Sequence, residues 1–207
     1  METAEATEMA ETTQEPATAQ SRTTTGQVPL TWSPATEADA PALSALVESA
    51  YRGEGSRAGW TTEADLLGGQ RMDVDMAREM VGASGTVVLL FRPEGTDSGD
   101  RPVACVQLER KDGNVAYFGT FAVDPTQQGG GIGKRVMAVA EDYARQQWSA
   151  TRMRMMVIRQ RDDLIAYYER RGFAPTGERE PFPYGQEQFG KPRRDDLEFI
   201  VLEKPLD

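Results

Sequence analysis

The sequence predicts an α+β fold, a mixed α/β sandwich, and three observations predict it. Short apolar strands alternate with amphipathic helical segments along most of the chain. Two strands face each other across Asp112-Gly113-Asn114, a hairpin turn that makes them antiparallel. A further strand leads into a long helix and then another strand, a crossover that sets two strands side by side in the same sheet.

Residues 1–28 differ from the rest. They carry Glu2, Glu5, Glu8, Glu11 and Glu15 against Arg22, with much Thr and Ala and almost no aliphatic side chain. Such a segment cannot bury enough apolar surface to offset its ordering entropy, so it reads as a disordered tail. Residues 29–207 then form one domain, long enough to build a core without staples. A short strand opens it at 28–32. Thr36 and Asp39 have capping-box spacing, and Leu43, Leu46, Val47 and Tyr51 follow at helical period. Residues 51–71 read as loop, with Gly53, Gly55, Gly59, Gly68 and Gly69. A second helix covers 74–81. Residues 85–92 are a nearly continuous apolar run, which reads as a buried strand. After a polar turn at 93–102, strands follow at 103–110 and 115–123. A helix runs from 132 to about 148, with Val136, Met137, Ala140, Tyr143 and Ala144 on one face. Residues 152–158 alternate, with Met153, Met155 and Val157 on one side, and form a strand. A short helix at 162–171 ends at Gly172. Strands at 173–177 and 197–204, separated by a long Pro/Gly loop, complete the fold.

Composition narrows the chemistry. The 207 residues include 33 Asp+Glu and 23 Lys+Arg, a net charge of -10, with one cysteine and no histidine. The absence of histidine excludes Ser-His-Asp and Cys-His dyads, His-ligated metals and an imidazole base. A single cysteine excludes an internal disulfide, a CxxC pair and a thiolate cluster. The acidic balance argues against nucleic-acid binding, which needs clustered cations. No stretch of about 18 apolar residues spans a membrane. No secretory signal precedes the domain, so the expected compartment is the cytoplasm. An enzyme of this composition would work with carboxylates, tyrosines, backbone amides and a borrowed cofactor.

The most informative segment runs from Val123-Asp124-Pro125 through Gln128, Gly129, Gly130, Gly131, Ile132 and Gly133 to Lys134. A strand passes through a glycine loop into a helix. Glycines admit a ligand close to the backbone, and the free N–H groups of a helix start suit a phosphate. Lys134 and Arg135 in the first turn oppose the helix dipole, and an anion nearby would offset that. The loop is not a P-loop, because that pattern needs Gly at 128 and Ser or Thr at 135. It is not the dinucleotide pattern either, because position 134 is Lys. It does fit Gln-x-x-Gly-x-Gly. Downstream stands Ala166-Tyr167-Tyr168-Glu169-Arg170-Arg171-Gly172-Phe173.

With these two segments in this order, the chain resembles the GNAT superfamily of N-acetyltransferases over roughly residues 29–205. The resemblance implies a central, mostly antiparallel twisted sheet of about six or seven strands with a splayed parallel pair, flanked by about four helices. It implies acetyl-CoA as co-substrate, no metal, and direct transfer to a primary amine in a ternary complex. Phe121, Ala122 and Val123 would pair with the pantetheine arm, and the backbone from Gln128 to Lys134 would hold the pyrophosphate. Tyr168 takes the position of the tyrosine that faces the thioester sulfur and serves as general acid. Many members carry Asn where this chain has Arg161. Homodimers are common in the family.

Transfer to an alkyl ammonium with a pKa of about 10.4 needs a proton acceptor. Glu109, across the hairpin from 115–123, is the first carboxylate candidate, as base or water-positioning group; a solvated carboxylate beside Arg110 and Lys111 is the alternative. Trp60, Glu63 and Asp65 combine an aromatic with two acids, as a pocket for a cationic amine would. Tyr167 and Tyr168 lie about 100° apart on a helix, so one faces the site while the other packs or is exposed. Cys105 reads as an inert core residue. Residues 181–185 form an acceptor-side wall or a rigid connection. The acceptor is a small-molecule or peptide amine. Two other readings stand: a degenerate module that binds acyl-CoA as a sensor, and a domain whose acidic tail recruits a basic partner.

Overall fold

The computed structural model describes residues 29–59, 62–95, 101–186 and 189–207. The tail expected at 1–28, and Trp60, lie outside the described residues. In chain order the elements are β1 (Leu30–Pro34), α1 (Ala40–Tyr51), the one-turn α2 (Gly53–Ser56), β2 (Leu67–Gly68), α3 (Val74–Gly82), β3 (Thr86–Pro93), β4 (Ala104–Lys111), β5 (Val115–Val123), α4 (Ile132–Trp148), β6 (Arg152–Ile158), α5 (Asp162–Glu169), β7 (Ala174–Pro181), β8 (Lys191–Pro192) and β9 (Glu198–Pro205). The seven-stranded sheet has the order β1-β3-β4-β5-β6-β9-β7. Every neighbouring pair is antiparallel except β5 and β6. The α+β class and the parallel pair are therefore as expected.

Alternation along the strands divides the apolar side chains between two layers. Leu89, Val106, Leu108, Phe118, Met153 and Met155 face α4 and α5 and form the larger core. Val88, Leu90, Cys105 and Ala122 point the other way, under Leu43, Leu46 and Val47 of α1 and Ala77 of α3. The first helix start is as the spacing predicts. The Asp39 carboxylate accepts from the Thr36 N–H at 2.8 Å and pairs with the buried Arg92 at 2.7 Å. Burial raises the Asp39 pKa, but the Thr36 hydrogen bonds and Arg92 outweigh it and hold the carboxyl below its usual value.

Two features of the sheet create space for a site. β5 and β6 pair only at Val115↔Arg152, Ala116↔Met153 and Tyr117↔Arg154, and then separate although both strands continue. On the other side of β5 the register slips. Cys105 pairs with Ala122 and Gln107 with Gly119, so Thr120 and Phe121 together oppose Val106. Thr120 carries this bulge at a φ of 40°.

The loop expected at 51–71 contains more structure than its glycines suggest. It holds α2, and β2 pairs antiparallel with β8 from the distant segment between β7 and β9. Leu66, Leu67, Phe182 and Leu197 join Ile158 in a third small core beneath this pair. The two loops are thus fastened together over the open end of the split sheet. β7 also extends four residues beyond the strand expected at 173–177. Among the described residues no helix is long and apolar enough to cross a membrane.

Candidate active site

The glycine loop is built by the turn after β5. The Asp124 carboxylate accepts the Thr126 N–H at 2.9 Å, and the chain then passes Gly129 at φ 93° and Gly131 at φ 79°. An L side chain would be strained at either position. Gly131 is the N-cap of α4, so the unpaired N–H groups of the first turn sit at this loop. A cavity of about 210 Å³ lies there. Gln128, Gly129, Gly131, Ile132, Gly133 and Lys134 line one side, and Tyr167 and Arg171 the other. Gly130 is exposed and does not line it. Gln128 braces the loop by donating to the Val123 carbonyl at 3.2 Å. Gly59 packs so closely on Gln128 that a Cβ there would come 2.7 Å from Nε2.

The charges around this cavity differ in part from expectation. Arg135 turns away and donates to the Leu30 carbonyl at 2.6 Å, so of the two cations in the first turn only Lys134 faces the cavity. The second positive charge is Arg171. Its guanidinium lies 3.3 Å above the Tyr167 ring and donates to the Tyr167 carbonyl at 2.7 Å. Its Nε is buried and makes no hydrogen bond among the described residues.

Where β5 and β6 part, a chamber of about 200 Å³ opens. Phe118 to Phe121 of β5 and Met155 to Ile158 of β6 form its sides, and Tyr168 enters from α5. Tyr168 is 6% exposed and packs edge-on against Phe118 and Phe173. Its hydroxyl has no hydrogen-bond partner among the described residues. Burial, then the neighbouring Tyr51 and Tyr167, push its pKa well above 10.0, so it holds its proton at neutral pH. The Tyr51 hydroxyl donates to the Phe121 carbonyl at 2.7 Å and ties α1 to the bulge. Glu63, Arg71 and Arg161 bring three charges to the chamber wall. Glu63 Oε2 accepts from the buried Arg52 at 2.6 Å, and its Oε1 accepts no hydrogen bond among the described residues.

The chamber opens onto an outer cleft of about 700 Å³, with Tyr117, Met156, Phe189 and Phe199 common to both. The cleft lies on the part of the sheet that α1 and α3 leave uncovered. Glu109 is here and does not line the chamber. It accepts from Gln107 Nε2 at 2.7 Å and pairs with Lys111. Gln107 Oε1 in turn accepts from the Thr120 hydroxyl at 2.7 Å. Asp65 lines none of these cavities; it is exposed and bound to Arg57 at 2.7 Å. The anticipated Trp60–Glu63–Asp65 cluster thus keeps Glu63 at the chamber and turns Asp65 to solvent, while Trp60 is outside the described residues. Cys105 is fully buried, and burial pushes its thiol up to about 12, as an inert core cysteine requires. Tyr51, Arg71, Arg161, Tyr167 and Arg171 were not read as site residues. The sequence signals nearest to them are the departure from Asn at Arg161 and the Tyr167-Tyr168 pair, whereas Tyr51 and Arg71 carry none.

The model of the acetyltransferase (GNAT) family matches residues 68–173, just over half of the chain. No curated protein matches the chain in sequence. Among solved structures, the ribosomal-protein-S18-alanine N-acetyltransferase from Escherichia coli is similar with a TM-score of 0.61 and 15% identity, over 86% of this chain and 94% of that one. A GNAT-family acetyltransferase from Staphylococcus aureus has a TM-score of 0.58 and 14% identity, over 86% of this chain and 100% of that one. A nourseothricin acetyltransferase has a TM-score of 0.58 and 15% identity, over 86% and 99%. At these identities the likeness is one of fold. The family match, the split parallel pair and the glycine cradle agree, and this chain belongs to the acetyltransferase (GNAT) family.

Proposed function

We propose that the protein is an acetyl-CoA-dependent N-acetyltransferase that passes the acetyl group directly to a primary amine. One observation carries this reading: adjacent tyrosines of α5 reach the two cavities, Tyr167 the glycine cradle after β5 and the buried, protonated Tyr168 the chamber where β5 and β6 part. The residues present suit the co-substrate. Helix N–H groups, Lys134 and Arg171 line the cavity where a pyrophosphate would lie. Phe121 to Val123 supply strand backbone for the pantetheine arm. Acetyl-CoA brings an activated acyl group and a thiolate that leaves readily.

The chain's own groups supply orientation and proton control. The chamber walls hold both reactants side by side and exclude water, which is the larger part of the catalytic effect. Backbone amides at the Thr120–Phe121 bulge are placed to polarise a carbonyl there. Tyr168 holds a proton on its Oη for the departing sulfur. Glu63 Oε1 is the unoccupied carboxylate oxygen on the chamber wall. The acceptor's proton is therefore assigned to Glu63, with Glu109 ordering water in the outer cleft.

A thiol-release assay with acetyl-CoA and a panel of amines tests the activity. Turnover with at least one amine is expected. Gly131→Glu, which places a strained anion in the cradle, is expected to abolish acetyl-CoA binding in calorimetry. Undiminished binding by that variant would remove the pyrophosphate assignment.

A further inference from the structure

The charges at the chamber select an acceptor different from the cationic amine that the acidic loop first suggested. Of the two acids of that loop, Asp65 is exposed and bound to Arg57, and Glu63 gives one carboxylate oxygen to Arg52 and keeps the other. The unmatched charge is positive. Arg71 lines the chamber, and among the described residues no carboxylate lies within ion-pair distance of its guanidinium. What holds the guanidinium is the face of Tyr51, 5.4 Å from ring centroid to Cζ. The Arg71 backbone N–H donates to Glu48 at 2.8 Å, which fixes the start of the side chain. Arg71 lines the chamber and not the outer cleft. Arg161, a second buried guanidinium on the same wall, is paired with Asp163 at 3.7 Å and leaves Arg71 as the cation available to an acceptor. Glu63, Arg71 and Arg161 are thus the charged side chains of the chamber, and Arg71 alone among them has no ion-pair partner among the described residues.

A guanidinium above an aromatic ring at cation–π distance, lining a small cavity, is arranged to receive a carboxylate through paired N–H···O bonds. Glu63 Oε1, on the same wall, is arranged to receive an ammonium. A chamber of about 200 Å³ takes one small polar head, and the apolar residues Met156, Phe189 and Phe199 at the mouth of the cleft suit the remainder. We propose that the acceptor is a zwitterionic amine of amino-acid type, with its carboxylate on Arg71 and its amine between Glu63 and the acetyl group. This proposal rests on the acetyltransferase reading and names its substrate class.

The test compares amino acids with their decarboxylated amines, for example phenylalanine with phenethylamine and leucine with isoamylamine. Thiol release with acetyl-CoA is expected to favour the amino-acid member of the preferred pair by about tenfold to hundredfold in kcat/KM, the effect of one charge-assisted contact. Arg71→Gln is expected to erase that preference by raising KM for the amino acid, while KM for the bare amine stays the same. Arg71→Lys is expected to restore part of it. A second measurement needs no turnover: with CoA present, the preferred amino acid is expected to raise the Tm of the wild type but not of Arg71→Gln. Equal or better turnover of the bare amines, or an unchanged preference in Arg71→Gln, would overturn the proposal. So would the absence of a thermal shift with every amino acid. Failure of the acetyltransferase reading is distinguishable, because no amine, zwitterionic or bare, would then release thiol from acetyl-CoA.

Discussion

At the scale of single residues, the proposed reaction gives different proton tasks to groups of different burial. Tyr168 is enclosed by Phe118, Phe173 and Tyr167, and a phenolate there would be poorly solvated. The same burial that forbids the anion keeps a proton available for the leaving thiolate. Tyr168→Phe is expected to lower kcat by about 10- to 1000-fold with little change in acetyl-CoA affinity. Unchanged kcat with an acceptor for which chemistry is rate-limiting would remove the acid role. The two carboxylate candidates separate by place. Glu63→Gln keeps an acceptor oxygen for Arg52 and so preserves the loop, but it cannot take a proton. It is expected to lower kcat by about 100-fold, whereas Glu109→Gln, in the cleft, alters mainly KM. If the larger kcat loss belonged to Glu109→Gln, the assignments would be exchanged. Glu109 was the carboxylate favoured in the sequence because it lies one hairpin from the cofactor strand. The face of β4 that it occupies sets it in the outer cleft and not at the chamber, which sequence spacing does not reveal.

At the scale of elements, locally determined segments were legible and non-local ones were not. Residues 115–123, 132–148 and 152–158 were read to their observed ends, because apolar period, hairpin turn and glycine cap all act within a few residues. The Gln128–Lys134 cradle was legible for the same reason. β2 and β8 are two residues each and exist only because distant loops meet, so no period announces them. β7 is exposed along its whole length as an edge strand, and its Glu178, Arg179 and Glu180 carry no alternation to detect. Arg71 and Arg161 fall in segments whose sequence reads as loop, and only the closing of those loops brings them to one chamber. Gly190 is where this closing can be tested. It has a φ of 92°, and a Cβ there would lie 2.9 Å from Arg52 Nη2 and 3.0 Å from the Gly68 carbonyl. Gly190→Ala is expected to destabilise the fold by about 1–3 kcal/mol. Because Arg52 holds Glu63, it is also expected to raise KM for the acceptor while acetyl-CoA affinity is kept. Unaltered acceptor kinetics in a destabilised variant would show that the loop pair is structural alone.

At the scale of the whole molecule, several weak acids are folded into places that exclude their charged forms, and the protein's alkaline stability depends on them. The Cys105 thiol, with an ordinary value of 9.0, is raised to about 12 by burial. The phenols of Tyr51, Tyr117 and Tyr168 are raised above 10.0, in each case first by burial. The folded state therefore keeps protons that the unfolded chain releases. Above pH 9 the native form binds more protons than the unfolded form, so unfolding free energy falls as pH rises. Each fully offset group contributes a slope of about 1.4 kcal/mol per pH unit. Stability is complete below the unfolded pKa values and is lost as pH climbs towards the folded ones. Only Cys105 begins to act at pH 9; the tyrosines join at about pH 10. Cys105→Ala removes the earlier component and little volume. Its Tm is expected to stay level from pH 8 to about pH 10 and then fall, whereas the wild type begins to fall near pH 9. Parallel Tm profiles for the two proteins would mean that the thiol is accessible to solvent. In that case the packing of Cys105 between α1 and the bulge at Thr120 would need revision.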